Sequence, residues 1–331
     1  MIHKYKLGDY NIVLDVNSGG VHVVDELTYD MLDNVAPPFA PECPEEVVTK
    51  LSRFYDPEEV RSCYAEILEA YQEGILFSPD DYEKYANFAV ASPIKAMCLN
   101  IAHDCNLRCK YCFASTGDFG EGRKLMSYET GKKAVDFLLQ NSGDRVNLEM
   151  DFFGGEPLMN FEVCKQLVAY ARSIEQAAGK NFRFTLTTNG IGITDEVIEW
   201  ANKECHNVVL SLDGRKEVND RFRVDLAGNG SYDRIVPKFQ KLVKARGGKG
   251  YYMRGTFTHH NVDFTNDLFH MADDLGFTEL SMEPVVAPPD SPEALTEADL
   301  PKLFDQYELL ANDMLRARSR TPSPSTTTSW T

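Results

Sequence analysis

The sequence predicts an α/β fold, a partial (βα)6 barrel that follows a smaller N-terminal module. Two observations lead to this prediction. Apolar, strand-like segments alternate regularly with amphipathic helical segments from residue 93 onward, and most predicted helices follow a residue able to cap them. Six β–α units in series, joined by right-handed crossovers, favour a parallel sheet that curves toward a barrel. The functional side chains of such a sheet gather at the carboxyl ends of its strands.

The barrel domain is predicted over residues 91–316. Its predicted strands are Ile94–Ala102, Val146–Phe153, Phe182–Thr188, Val208–Leu212, Gly250–Thr258 and Thr278–Val286. Helices are predicted to begin after Ser127, Asn160, Thr194, Ser231 and Asn261, and a last helix spans about Glu297–Arg316. Residues 317–331 lose apolar periodicity, which predicts a disordered or artefactual tail.

The N-terminal module is predicted over residues 1–90. Residues 3–24 alternate polar and apolar side chains between turns, which predicts a small antiparallel meander. A helix follows, because Asp56 can cap it, Pro57 suits its first turn, and Glu59 would complete a capping box. Gly74 is predicted to end this helix.

Composition excludes several classes of function. The 331 residues hold 34 Lys and Arg against 51 Asp and Glu, a net charge of −17, which argues against binding to a nucleic-acid backbone. No apolar run approaches the roughly eighteen residues that a membrane-spanning helix needs. The N-terminus lacks the apolar core of a secretion signal, so the cytoplasm is the predicted compartment. Eight cysteines in a reducing compartment indicate metal ligands, reactive thiols or core residues rather than disulfides.

Three cysteines follow the first barrel strand on one short loop. Cys105, Cys109 and Cys112 are spaced C-x3-C-x2-C, close enough to hold one compact inorganic centre. A structural zinc site normally takes four ligands, and no second cysteine or histidine pair supplies the fourth. A cubane iron–sulfur cluster held by three cysteines leaves one iron open to a small molecule. The cluster is the favoured interpretation, with zinc or three unrelated cysteines as the alternatives.

The loop resembles the radical S-adenosylmethionine (SAM) superfamily, which shares its C-x3-C-x-aromatic-C pattern. The resemblance implies a partial, TIM-like (βα)6 core in which the three cysteines hold a [4Fe–4S] cluster and SAM occupies the open iron. It also implies that the reduced cluster cleaves SAM to a 5′-deoxyadenosyl radical, which abstracts hydrogen from a substrate. The protein's part is to hold these cofactors and exclude water.

Further motifs at the ends of later strands are similar to SAM-binding segments of this superfamily. Two glycines permit close backbone approach, and a glutamate can receive the SAM ammonium group. For the segment Thr188-Asn189-Gly190 the alternative interpretation is an ordinary turn. For Arg223 the alternative is a surface ion pair. The residues that the resemblance places at the SAM site are Tyr111, Gly154, Gly155, Glu156, Thr188, Asn189, Ser211 and Arg223.

The order of a meander followed by helices in the N-terminal module is similar to the winged-helix-like peptide-recognition element of ribosomal-peptide maturases. That element binds the leader of a precursor peptide as an added strand. Overall the chain most resembles the maturases of SCIFF peptides, which form Cys-derived thioether crosslinks in Cys-rich precursors. The implied partners are such a precursor and an electron donor such as flavodoxin or ferredoxin. Sulfatase-maturase-like oxidation of a Ser or Cys side chain is the alternative activity.

One departure from this branch concerns the C-terminal SPASM domain, whose cysteines bind auxiliary clusters. No cysteine follows Cys205 in this chain, and the sequence ends in the Ser/Thr/Pro-rich tail. We therefore expect that truncation or a frameshift removed the auxiliary domain. A leader-binding but catalytically impaired fragment is a further alternative.

Overall fold

The protein folds into two compact units, the first Met1–Ser92 and the second beginning at Pro93. The structure, a computed structural model, describes residues 1–85 and 92–320. The predicted domain boundary at residue 90 lies outside the described residues, as do residues 321–331 of the predicted tail. No helix in the described part of the chain is long and apolar enough to cross a membrane.

The first unit is a three-stranded antiparallel meander followed by helices, as the alternation of residues 3–24 predicts. Its strands are β1 (Ile2–Leu7), β2 (Tyr10–Asp15) and β3 (Gly20–Val24), and its helices are α1 (Glu26–Met31), α2 (Glu45–Leu51) and α3 (Pro57–Gln72). The helices bury their own apolar core against β2, with Val13, Met31, Val48, Val60 and Ile67 among its members.

The start of α3 differs from the sequence prediction. The Asp56 carboxylate accepts a hydrogen bond from the N–H of Glu58 at 2.8 Å, so the capping box predicted with Glu59 does not form. The short aspartate side chain caps the second N–H of the helix instead of the third.

The second unit is built on a seven-stranded sheet, and the predicted α/β fold class is confirmed. Its strands are β4 (Ala96–His103), β5 (Lys124–Leu125), β6 (Asn147–Gly154), β7 (Asn181–Thr188), β8 (Cys205–Ser211), β9 (Tyr251–Phe257) and β10 (Leu280–Pro284). Their spatial order is β10-β9-β8-β7-β6-β4-β5. All pairs are parallel except β4–β5, because the two-residue β5 pairs antiparallel with the end of β4. The sequence analysis missed β5, which is too short to show alternation.

Helices connect the parallel strands and cover one face of the sheet. They are α4 (Tyr128–Gln140), α5 (Phe161–Glu175), α6 (Asp195–Glu204), α7 (Lys216–Phe222), α8 (Tyr232–Ala245), α9 (Phe264–Phe269) and α10 (Leu300–Arg320). Ser127 and Thr194 cap α4 and α6 as predicted. The predicted start after Asn261 is wrong, because Asn261 closes a capping box with Thr258 on a short 3-10 turn and α9 begins at Phe264.

Side chains alternate between the two faces of each strand. In β6, Leu148, Met150 and Phe152 are fully buried toward the helices, and Phe152 stacks on Phe184 of β7 with ring centroids 5.6 Å apart. Glu149, Asp151 and Phe153 point to the opposite face and are half-buried. We call the space bordered by this opposite, inner face of the curved sheet the lumen. The inner face carries polar groups, whereas the helix-covered face forms the core.

Candidate active site

All eleven predicted site residues line one cavity of about 490 Å³ at the carboxyl ends of the parallel strands. The cavity is bordered by the loop after β4 and by the ends of β6 to β10. The predicted residues that it brings together are Cys105, Cys109, Tyr111, Cys112, Gly154, Gly155, Glu156, Thr188, Asn189, Ser211 and Arg223. We call it the main cavity. Its position is where a barrel of parallel strands places its chemistry.

The cysteine loop, residues 104–123 between β4 and β5, is hydrogen-bonded to the end of α7 and to the residues that follow it. The N–H of Arg108 donates to the carbonyl of Val224 at 2.6 Å, and the N–H of Lys110 donates to the carbonyl of Phe222 at 3.1 Å. The Arg108 guanidinium also donates to the Leu107 carbonyl at 2.7 Å. These backbone bonds hold the loop over the cavity independently of the thiols.

The thiols are free and partly buried. Burial raises the pKa of Cys105 to about 11 and that of Cys109 to about 12, although the Arg223 charge opposes the shift at Cys109. The Cys105 Sγ accepts hydrogen bonds from Leu107 N–H and from the Asn189 amide, both at 3.4 Å. These donors would stabilise a thiolate once a metal centre displaced its proton. Among the described residues, no three His, Cys, Asp or Glu side chains lie close enough together to hold a single metal ion.

Gly117 packs directly against the first cysteine. Its φ is +105°, and a Cβ added there would lie 2.6 Å from the Cys105 Cβ and 3.0 Å from the Cys105 nitrogen. No side chain fits at that distance, so only glycine allows this turn of the loop to support Cys105.

The Gly154-Gly155 pair joins the end of β6 to the end of β4. A Cβ on Gly155 would lie 2.2 Å from the Asp104 carbonyl oxygen, and one on Gly154 would lie 2.5 Å from the Ala102 oxygen. The Gly155 N–H donates to Ala102 at 2.7 Å. These glycines were predicted because they let a ligand approach the backbone closely. The structure shows that the neighbouring backbone also leaves no room for a side chain at either position.

Glu156 is buried and strongly hydrogen-bonded. One carboxylate oxygen accepts from the Thr188 hydroxyl at 2.7 Å and from Leu158 N–H at 3.1 Å, and the other accepts from Asn189 N–H at 2.8 Å. Burial raises its pKa to about 7 despite these three donors. A carboxylate has about four lone-pair positions, so one remains for a ligand.

The Asn189 side chain links the end of β7 to the cysteine loop. Its amide nitrogen donates to the Asn106 side-chain oxygen at 2.8 Å as well as to Cys105, and its own side-chain oxygen accepts from Ile191 N–H at 3.0 Å. The Thr-Asn-Gly segment is therefore part of the site structure as well as a turn.

Arg223 forms a buried ion pair, so the surface ion pair considered from the sequence is wrong. Its guanidinium donates to Asp213 at 2.9 Å, and the other Asp213 oxygen accepts from the Tyr111 hydroxyl at 2.6 Å. Asp213 has no exposed surface, and it also accepts from Thr256 N–H at 3.1 Å. Burial is the largest single influence and lowers the pKa of Arg223, but the Asp213 charge and hydrogen bond, together with Tyr111 and Cys109, raise the pKa overall. The Arg223 Nε is buried and has no partner among the described residues.

The sequence analysis missed several residues that line the main cavity or contact its lining residues. Asp213 follows Ser211 by two residues, but nothing in the sequence shows that it bridges Tyr111 and Arg223. Arg254 and Glu283 form an ion pair at the ends of β9 and β10, far apart in sequence. Phe113 lines the mouth with 72% of its surface exposed.

The fold and this site define an α/β protein with a cysteine-rich loop and a cavity, lined by charged, polar and apolar side chains, at the carboxyl ends of its parallel strands. Residues 99–267, just over half of the chain, match the model of the Radical SAM superfamily, and the chain belongs to this superfamily. Its cofactors are a [4Fe–4S] cluster and SAM. The residues present fit them, because Cys105 of the loop accepts two hydrogen bonds that would stabilise a thiolate, and the unpartnered Arg223 Nε–H is suited to an anionic ligand group.

Similar proteins include enzymes that act on protein or peptide substrates. A serine-type anaerobic sulfatase-maturating enzyme from Bacteroides thetaiotaomicron is 26% identical over 209 residues, which are 61% of this chain and 48% of that enzyme. The chain thus spans about half the length of this relative.

Two solved structures share the fold. The structure of anSMEcpe with bound AdoMet and the Kp18Cys peptide has a TM-score of 0.60 at 20% identity, covering 68% of this chain and 62% of that one. Streptococcus suis SuiB bound to its precursor peptide SuiA has a TM-score of 0.51 at 14% identity, covering 96% of this chain and 69% of SuiB.

Proposed function

We propose that this radical SAM enzyme modifies a ribosomal precursor peptide and forms Cys-derived thioether crosslinks, as in the SCIFF branch. The observation that carries the proposal is the main cavity, in which the cysteine loop and every predicted SAM-site residue come together. The similarity to enzymes solved with peptides supports a peptide substrate. The thioether product rests on the resemblance of the whole chain to that branch.

In this proposal Cys105, Cys109 and Cys112 hold the cluster, and Arg223 and Glu156 bind the polar end of SAM. When bound, the cluster and SAM supply a 5′-deoxyadenosyl radical that abstracts hydrogen from the substrate. Asp213 fixes the orientation of Arg223, so that the free Nε–H is presented to the SAM carboxylate. Fixing these groups before SAM binds reduces the entropy that binding must overcome.

The remaining SAM contacts follow from the same cavity. Tyr111 lies beside the adenine in this proposal, and its ring is held by the Asp213 hydrogen bond and by packing on Phe222, with centroids 5.5 Å apart. Gly154, Gly155, Thr188, Asn189 and Ser211 complete the SAM-binding wall.

The N-terminal unit is proposed to bind the peptide leader as a winged-helix-like module. Its outer strand β3 pairs only with β2 among the described strands, and Val21 and Val23 are 62% and 66% exposed. An exposed strand edge with apolar side chains is suited to an added peptide strand. A cytoplasmic flavodoxin or ferredoxin is the proposed electron donor.

Sulfatase-maturase-like oxidation of a Ser or Cys side chain is the second candidate. The sequence similarity to a sulfatase-maturating enzyme and the fold shared with anSMEcpe favour it. The two activities leave different products, since a thioether retains the cysteine sulfur whereas an oxidised side chain carries an aldehyde.

The test uses the anaerobically reconstituted protein with SAM, reductant and a Cys-rich peptide encoded beside it, here called the neighbouring peptide. We expect 5′-deoxyadenosine together with a peptide that has lost two hydrogens per crosslink and resists thiol alkylation. A peptide that reacts with a hydrazide probe would support the second candidate instead. A protein that binds the peptide but produces no 5′-deoxyadenosine would contradict both and indicate an impaired enzyme.

A further inference from the structure

The lumen contains a second cavity besides the main cavity. It measures about 350 Å³ and lies toward the amino ends of the strands, lined by Glu149, Arg183, Thr185, His206, Asn207 and Gly250. On β6, Glu149 lines this lower cavity and Phe153 lines the main cavity. Because alternate residues of a strand share a face, Asp151 lies on the same face between the two cavities.

Asp151 is hydrogen-bonded by a residue of β7 that lies two positions beyond its register partner Thr185. The Thr187 hydroxyl lines the main cavity and is 3.2 Å from both Asp151 oxygens. Asp151 is half-buried, and within residues 1–85 and 92–320 it forms no ion pair. A carboxylate accepts about four hydrogen bonds, so one hydroxyl leaves most of its capacity unused.

The charged and titratable groups that face Asp151 do not neutralise it. Burial raises its pKa to about 6, while Thr187 and the Arg254 charge lower it. Cys98, its partner across the β4–β6 pairing, has a pKa raised to about 11 by burial and is neutral near pH 7. Cys205 at the start of β8 also has a pKa raised by burial, to about 12. The Asp151 carboxylate thus has acceptor positions that no donor among the described residues fills, and it lies next to Thr187, which lines the main cavity.

We propose that Asp151 binds the peptide substrate, by accepting hydrogen bonds from N–H or O–H groups of the segment that enters the lumen beneath SAM. The inference rests on the proposed function and adds a substrate-binding residue to it. Donors from the peptide would offset the desolvation of the carboxylate, and the bond would fix which substrate carbon faces SAM. Thr187 then acts as a positioning residue that orients the carboxylate.

The test compares Asp151→Asn with Glu149→Gln as a matched control on the same strand and face. Each reconstituted protein is titrated with SAM and with the fluorescently labelled neighbouring peptide, and modified peptide is counted per 5′-deoxyadenosine. For Asp151→Asn we expect the peptide Kd to rise about tenfold or more, since a hydrogen bond to a charged group is lost. The ratio of modified peptide to 5′-deoxyadenosine should fall in parallel. The SAM Kd of Asp151→Asn should change less than about twofold. Glu149→Gln should resemble the wild type in all three measurements.

A pH series and a second variant exclude a merely structural role. Wild-type peptide affinity should weaken as the pH falls below about 6, where Asp151 takes up a proton, and the affinity of Asp151→Asn should not show this dependence. Thr187→Val should weaken peptide binding less than Asp151→Asn. Unchanged peptide affinity in Asp151→Asn, or an equal loss of SAM and peptide binding, would overturn the assignment. A wild-type protein that cleaves SAM but leaves the peptide unmodified would contradict the proposed function itself, and the Asp151 assignment with it.

Discussion

At the scale of single residues, Glu156 shows how burial and hydrogen bonding compete. Three protein donors favour its charged form, yet burial is the larger effect and the pKa rises from its ordinary 4.5 to about 7. The folded protein therefore keeps a proton that the unfolded chain releases between pH 4.5 and 7. By linkage, the free energy of unfolding falls as the pH rises through this window, by about 3 kcal/mol at most.

Glu156→Gln should remove this pH dependence from the cluster-free protein. At low pH the protonated Glu156 carboxyl and the glutamine amide are both neutral, so the stability of the variant should differ there by no more than about 1 kcal/mol. Urea unfolding at pH 5 and pH 7 measures both effects, with the exposed Glu199→Gln as control. An unaltered difference between the two pH values would show that Glu156 does not titrate in this window.

The three loop cysteines give a second prediction at this scale. Replacing Cys105, Cys109 or Cys112 singly with Ala leaves one iron of the cluster without its protein ligand, so iron and acid-labile sulfide should fall close to zero. Cys98→Ala is the matched control, because Cys98 lies within β4 and outside the loop. A loop variant that kept its full iron and sulfide content would refute the ligand assignment.

At the scale of elements, the sequence predicts strands better than helix starts. All six parallel strands were predicted, because both the buried and the half-buried residues of such strands keep a recognisable pattern. Asn160 was correctly placed before α5, but its amide donates to the carbonyls of Ile101 and Met126 rather than capping the helix. Such tertiary use of a capping residue leaves no trace in the local sequence.

For the site too, the sequence predicts which residues take part but not the hydrogen bonds between them. Its residues were predictable because they follow strand ends in recognisable segments, and parallel topology then brings those ends together. The links between them were not predictable. The bonds from Asp213 to Tyr111 and Arg223 and from Asn189 to Cys105 depend on packing across elements distant in sequence.

The cysteine loop offers a prediction that separates backbone strain from displacement of a cysteine. Gly117 and Gly120 both have positive φ, +105° and +75°, but only a Cβ at Gly117 meets Cys105, whereas one at Gly120 meets nothing within 4 Å. Alanine at either position strains the backbone by roughly 1–2 kcal/mol. Gly117→Ala should in addition displace Cys105 and lower the iron content several-fold after reconstitution, and Gly120→Ala should not. Equal iron content in both variants would mean that the loop adapts around the added methyl group.

At the scale of the whole molecule, the two units have separate apolar cores. Ile67 of α3 belongs to the core of the first unit, and Leu167 of α5 belongs to the core of the second. Each core is closed by helices of its own unit against its own sheet. A domain with its own core can unfold as its own cooperative unit.

We therefore expect cluster-free protein to unfold in two transitions. Ile67→Ala and Leu167→Ala each remove a buried side chain, which costs about 2–5 kcal/mol, so each should lower one transition and leave the other in place. Calorimetry measures both transitions, and SAM added to reconstituted protein should raise only the transition that Leu167→Ala lowers, since a ligand stabilises the unit that binds it. A single transition shifted by both variants would show instead that the units unfold together, and then peptide binding at the first unit could alter the stability of the SAM site directly.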